Sequence, residues 1–392
     1  MIRACILGTC LIGLATLAHA GMKETYLPSD PLKGTVHFSD KGCDRCHSID
    51  GQGGNFGPDL ARSEIDGSLL DLVAMMWNHS PEMSRIMDDL AVGRPRMTSA
   101  ELSEIAAYVY YIAYFDSPGD IATGARVFTD KGCNNCHRVG GIGRKVGPDL
   151  SPIKKYVSPI FLMQMMWNHG SQIRAKMSEL GVSWPEFNGD EVADLMAFLR
   201  DASAVTDPER IFMRPGNPKI GEQLFREKRC ISCHRVFDAG RAVGPDLRKS
   251  TFHKSASSIA AVMWNHGPAI WDKMDELGLA KPKFESNEMA DLTAFLYFLR
   301  FLESPSDAAR GELLFRQKGC QNCHHFGEAQ VMGSYGLSFS DGEDAALDVA
   351  AAMWNTADEM SDMMTRKRLE WPRFQAGELN DLIHYILDSS HR

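Results

Sequence analysis

The chain has 392 residues, 44% of them hydrophobic and 24% charged, with a formal net charge of −9. An acidic balance of that size disfavours a nucleic-acid partner, whose phosphates would repel it, and suits a partner with a basic patch. Beyond the N-terminus no apolar run approaches the length of a membrane span.

Met1-Ile2-Arg3 is followed by an apolar run from Ala4 to Ala18 and then by Ala18-His19-Ala20 before Gly21. A basic start, an apolar stretch and a small-x-small site describe a secretory signal peptide over 1–20, so a periplasmic or otherwise exported location is expected. Cleavage removes Cys5 and Cys10 and leaves eight cysteines, all of them in four CxxC pairs. No structural disulfide is expected, although an exported compartment would permit one.

Each pair is followed at once by a histidine: Cys43, Cys46 and His47; Cys133, Cys136 and His137; Cys230, Cys233 and His234; Cys320, Cys323 and His324. That spacing attaches haem c, with each thiol adding to a haem vinyl group and the imidazole reaching the iron. A zinc site would need two pairs brought together, and a thioredoxin-like motif would not repeat the histidine. Four separate covalent haems c are expected, with about 93 residues of chain to each, a size that suits one small domain.

Self-comparison supports four units. The interval from the first motif cysteine to a Trp is the same in every copy, from Cys43 to Trp77, Cys133 to Trp167, Cys230 to Trp264 and Cys320 to Trp354. An equal interval then leads to Tyr108, Phe198, Phe295 and Tyr385. Each unit opens with Gly34/Phe38, Gly124/Phe128, Gly221/Phe225 or Gly311/Phe315, in the last three on a short helical pattern, and each closes on a stronger one. The glycine is expected to lie against the closing helix and its aromatic. A middle helix runs through the Trp; in the third unit it is expected from Ser257 to His266, broken at Gly267-Pro268, then resumed to Gly278. No strand pattern of useful length appears, so each unit reads as all-α.

These parts in this order resemble the monohaem domains of the cytochrome c family, and the resemblance covers nearly all of the chain after residue 20. It implies an all-α fold of four tandem cytochrome c-like domains, at 31–117, 118–204, 220–304 and a divergent fourth at 305–392, with a Pro-containing linker at 205–219. By the same resemblance Pro58, Pro148 and Pro245 would set a backbone carbonyl against the proximal histidine. The fourth unit has Ser334-Tyr335-Gly336-Leu337 there instead. Short spacers at Asp116-Ser117-Pro118-Gly119 and Glu303-Ser304-Pro305-Ser306 suggest two pairs, units one with two and three with four.

Three sets of side chains compete as second axial ligand. The resemblance places a distal Met at Met87, Met177, Met274 and Met364. Met76, Met166, Met263 and Met353, directly before the Trp, are an alternative, as are His79, His169 and His266, replaced by Thr356 in the fourth unit. The Trp residues read as haem-pocket walls, Asn78, Asn168, Asn265 and Asn355 as caps on the break in the helix, and His325 as an exposed residue. The expected function is electron relay between redox partner proteins, free or as a subunit of a respiratory oxidoreductase. The alternative is a multihaem peroxidase or reductase with an open haem in the fourth unit.

Overall fold

The computed structural model describes residues 32–390 except 64–66, 113–118, 152–158, 204–215, 237–238, 250–254, 303–304, 328–333 and 343. The signal peptide, most of the 205–219 linker, Asp116-Ser117-Pro118 and Glu303-Ser304 therefore lie outside the described residues.

Every repeat supplies three α-helices. They are α1 (Lys33–Asp40), α2 (Leu69–Asp89) and α3 (Ser99–Ile112); α4 (Ile121–Asp130), α5 (Pro159–Glu179) and α6 (Glu191–Ala202); α7 (Pro218–Glu227), α8 (Ala256–Glu276) and α9 (Glu288–Phe298); and α10 (Ala308–Gln317), α11 (Ala345–Lys367) and α12 (Glu378–Ser390). Strands among the described residues are two or three residues long, so the all-α expectation holds.

First and last helices pack together in each repeat, α1 on α3, α4 on α6, α7 on α9 and α10 on α12. The opening glycine sets that approach. A Cβ at Gly34 would strike the Glu104 carbonyl and Tyr108, and Gly124, Gly221 and Gly311 meet Asp194 and Phe198, Asp291 and Phe295, and Asp381 and Tyr385 in the same way. Glycine inside a helix costs about 1 kcal/mol against alanine, which close helix packing offsets here. One turn later the aromatics meet, with ring centroids 5.7 Å apart for Phe38 and Tyr108 and 5.6 Å for each of the other three pairs.

The expected break in the middle helix is absent: α8 runs unbroken through Pro268, and α2 through Pro81. A proline inside a helix removes one hydrogen bond and frees the carbonyl four residues back. Here those carbonyls find indole donors on another repeat: Trp371 Nε1 donates to Trp77 O at 3.0 Å, and Trp184 Nε1 to Trp264 O at 3.4 Å. The helix stays whole because the partner satisfies what the proline releases. Gly278 does end α8, with φ +66°.

The pairing of repeats also differs from the spacer argument. Repeat two packs on repeat three through α5 with α8 and α9 and α6 with α8, and repeat one packs on repeat four through α2 and α3 with α11 and α2 with α12. Short spacers limit how far two units can separate, but they do not choose which faces bury each other. The closing helices of repeats one and three also touch: Tyr110 stacks on Phe301 at 3.7 Å, and Tyr297 Oη donates to Tyr110 O at 2.6 Å.

Candidate functional site

Each Cys-x-x-Cys forms a single 3₁₀ turn entered through a left-handed residue, Gly42, Gly132, Arg229 or Gly319. All eight motif cysteines are free thiols, half-buried. Burial raises the first thiol of each pair, Cys43, Cys133 and Cys320 to about 11 and Cys230 to about 12, so each stays protonated at neutral pH.

The following histidine is oriented by a loop carbonyl in three repeats. His47 Nδ1 lies 3.1 Å from Pro58 O, His137 Nδ1 3.0 Å from Pro148 O and His234 Nδ1 3.1 Å from Pro245 O. Donation from Nδ1 leaves Nε2 unprotonated and aimed away from the loop, the state in which imidazole binds a metal. The glycine before each proline lets the loop approach, since a Cβ at Gly57, Gly147 or Gly244 would collide with that ring. The carbonyl support expected for the first three repeats is therefore present.

The fourth repeat is built differently. Ser334 brings a Cβ where the others have glycine, and its hydroxyl donates to Cys323 O at 3.0 Å. Tyr335 has the N–H that proline lacks and gives it to the same carbonyl at 2.8 Å. His324 Nδ1 is buried without a hydrogen bond of good geometry. Burial lowers the His324 pKa, partly countered by the Tyr335 carbonyl. His325, expected to be exposed, is half-buried and bonds through Nδ1 to Ser334 Oγ at 2.9 Å.

Beside this turn lies a cavity of about 380 Å³. Cys320, Cys323 and His324 line one side, and Met353, Thr356, Met360 and Met364 line another. All three competing ligand positions thus face one space on one helix. Trp77 lines it as well, so this indole is a wall as expected, but for the cavity of the partner repeat. In repeat three, burial lowers the His234 pKa, countered by the Pro245 carbonyl, with a smaller lowering from His266.

Trp and Asn also have a role that single-repeat reasoning missed. Trp77, Trp167, Trp264 and Trp354 donate Nε1–H to Pro372, Pro282, Pro185 and Pro95 carbonyls at 2.7, 3.0, 2.7 and 2.9 Å. Asn168 bonds both the N–H and the C=O of Phe284, at 2.9 and 2.8 Å. Asn78, Asn265 and Asn355 do the same at Phe374, Phe187 and Met97. The Asn side chains therefore cap no break; they clasp the loop of the partner repeat. The recurrence of Trp-Asn and of a proline at a constant later offset was the signal available in the sequence.

A lysine before each motif was also passed over. Lys41, Lys131, Lys228 and Lys318 bond the carbonyls of Arg96, Glu186, Lys283 and Arg373 at 2.6–2.9 Å. The same ammonium groups pair with Glu101, Glu191, Glu288 and Glu378 at 2.7–2.9 Å. Each lysine thus ties the turn to the closing helix.

Residues 121–203 and 218–299 each match the cytochrome c family model. No solved structure matches the chain.

Proposed function

From the cytochrome c domains of repeats two and three, which make this chain a haem-binding electron-transfer protein, we propose an exported tetrahaem cytochrome that relays electrons between redox partner proteins. Repeats one and four carry the same CxxCH turn, glycine contact and lysine tie as the two matched repeats. The observation that carries the reading is the set of four turns that each present two free thiols and one imidazole on the same short loop. Cys43, Cys46, Cys133, Cys136, Cys230, Cys233, Cys320 and Cys323 would hold haem c, with His47, His137, His234 and His324 as proximal ligands. Bound haem supplies one-electron chemistry between two iron oxidation states.

The protein residues orient and shield those centres. The proline carbonyls orient three proximal imidazoles, and buried Trp77, which lines the repeat-four cavity, would help to exclude water from a haem held there. No described helix is long and apolar enough to cross a membrane, and docking to a respiratory oxidoreductase as a subunit is part of the proposal. Mass analysis of the denatured, exported protein is expected to show four covalently retained macrocycles; fewer would end the reading.

A second reading, a peroxidase or reductase centred on repeat four, draws on Thr356 and Tyr335 at that cavity. It requires the reduced protein to bind one carbon monoxide per chain. The relay reading expects all four irons to stay low-spin and closed to that gas.

A further inference from the structure

Part of the wall of the repeat-four cavity comes from repeat one. Trp77 of α2 lines that cavity beside Pro372 and Phe374, the two loop residues whose main chain Trp77 and Asn78 hold. Trp77 Nε1 donates to Pro372 O at 2.7 Å, and Asn78 bonds both the N–H and the C=O of Phe374 at 2.8 Å. Trp371 of repeat four stacks on the same indole at 4.3 Å. The clasp that joins the two repeats is therefore also the side of a CxxCH site.

On the facing helix, α11, neighbouring residues serve different repeats. Met353 lines the repeat-four cavity, whereas Trp354 donates Nε1–H to Pro95 O of repeat one at 2.9 Å, and Asn355 holds Met97 at 2.8 Å. Pro95 and Met97 occupy in repeat one the places of Pro372 and Phe374 in repeat four. By that register Trp354 walls the repeat-one site as Trp77 walls the repeat-four site. Trp167 and Trp264 make the same bonds to Pro282 and Pro185, and all four indoles are buried.

Consecutive residues on a helix point about 100° apart. Met76, in the place of Met353, thus looks toward its own site and Trp77 toward the partner's, so α2 borders both. The two sites of a pair are separated by about one helix with its side chains, roughly 10–12 Å. Electron exchange between buried centres falls steeply with separation, which makes such a spacing decisive for routing.

We propose that the chain relays electrons through two units of two centres each, repeats one with four and two with three, whose sites share the Trp walls. Exchange within a unit then runs across the Trp-Asn clasp and not between neighbours along the sequence, one to two or three to four. Each exchange oxidises one iron as it reduces the other, with no atom or proton transferred; the chain contributes the spacing and the dry indole layer. The proposal rests on the haem reading above and is independent of which side chain closes each iron.

Paramagnetic resonance of the fully oxidised holoprotein tests the pairing through the dipolar coupling of ferric centres. Serine at Cys43, Cys46, Cys320 and Cys323 leaves centres two and three, and their coupling is expected to persist. Serine at Cys230, Cys233, Cys320 and Cys323 leaves centres one and two, and the coupling is expected to be lost. Coupling of one with two, or none between two and three, overturns the pairing. Should a chain lacking two centres fail to fold, conservative variants that keep all four decide. Trp77→Phe in repeat one is expected to shift the same haem signal as Met360→Leu, inside the repeat-four cavity. Met83 stands in repeat one where Met360 stands in repeat four, and a Trp77→Phe shift confined to the signal moved by Met83→Leu overturns the proposal. The macrocycle count of the denatured unsubstituted chain is read separately: fewer than four refutes the haem reading, whereas four with the wrong couplings refutes the pairing alone.

Discussion

In the inner pair, repeats two and three, Trp271 drives into the face of repeat two beside Gly170, where a Cβ would collide with the indole. It meets Trp167 edge-on at 5.4 Å and Trp184 at 5.7 Å, and is 2% exposed. The outer pair, repeats one and four, has Ser84 where repeat three has Trp271, and the room is taken by Arg94. Its guanidinium lies 4.4 Å over Trp354, pairs with Asp358 at 2.7 Å and bonds the hydroxyls of Ser80 and Ser84. Both pairs nevertheless keep the same Trp-Asn clasp. That clasp bonds main-chain groups, so it tolerates Phe374, Phe284, Phe187 or Met97 in the loop, whereas the filling beside it depends on side-chain shape and is free to differ.

The comparison can be broken most severely at Trp271. Trp271→Ala should cost about 3–5 kcal/mol, and denaturant unfolding should show the inner pair melting before the outer one. A single unshifted transition would mean that Trp271 does not hold the pair. Asn168→Leu strands one backbone donor and one acceptor, a loss of about 2–3 kcal/mol. Asn355→Leu in the outer pair should cost the same, and unequal costs would show that the clasp is not equivalent in the two pairs.

A smaller contrast concerns the ends of the middle helices. Gly181 and Gly278 terminate them in the inner pair with φ +66°, while Ala91 and Arg368 take φ +52° and +56° in the outer pair. Ala91→Gly should therefore stabilise the outer pair by about 1 kcal/mol, measured as a raised denaturation midpoint. Arg94→Met exchanges a buried guanidinium, whose Nη1 has no hydrogen bond among the described residues, for an apolar chain. The expected change is within about 1 kcal/mol, accompanied by loss of salt dependence in the outer transition.

The smallest effect should be shared by both pairs. Burial alone would raise Glu288 and Glu378, but the Lys228 and Lys318 ammonium groups and nearby amides hold both below the usual 4.5. Their folded-state pKa is depressed, so their stabilisation is full above pH 4.5 and is lost as pH falls through the folded value. Melting temperature should decline below that pH, and Glu288→Gln should flatten part of the decline.

Much of this architecture was readable before folding. Constant intervals from Cys43 to Trp77 and on to Tyr108 gave four units, and Gly34 with Phe38 pointed correctly at the closing helix, because helix crossing and motif spacing are local demands repeated four times. The break expected at Pro268 failed because the donor that rescues Trp264 O is Trp184, on another repeat. Asn168 read as a cap for the same reason: its partners at Phe284 are far away in sequence.

The sequence by itself determined the attachment turns, the three-helix unit and the glycine contacts, all of which rest on residues within one repeat. Only the tertiary structure decided that repeat two faces three and repeat one faces four, and that Trp77 walls the cavity of repeat four. Those outcomes depend on which buried surfaces and freed carbonyls meet across repeats, and one chain read alone carries no record of that meeting.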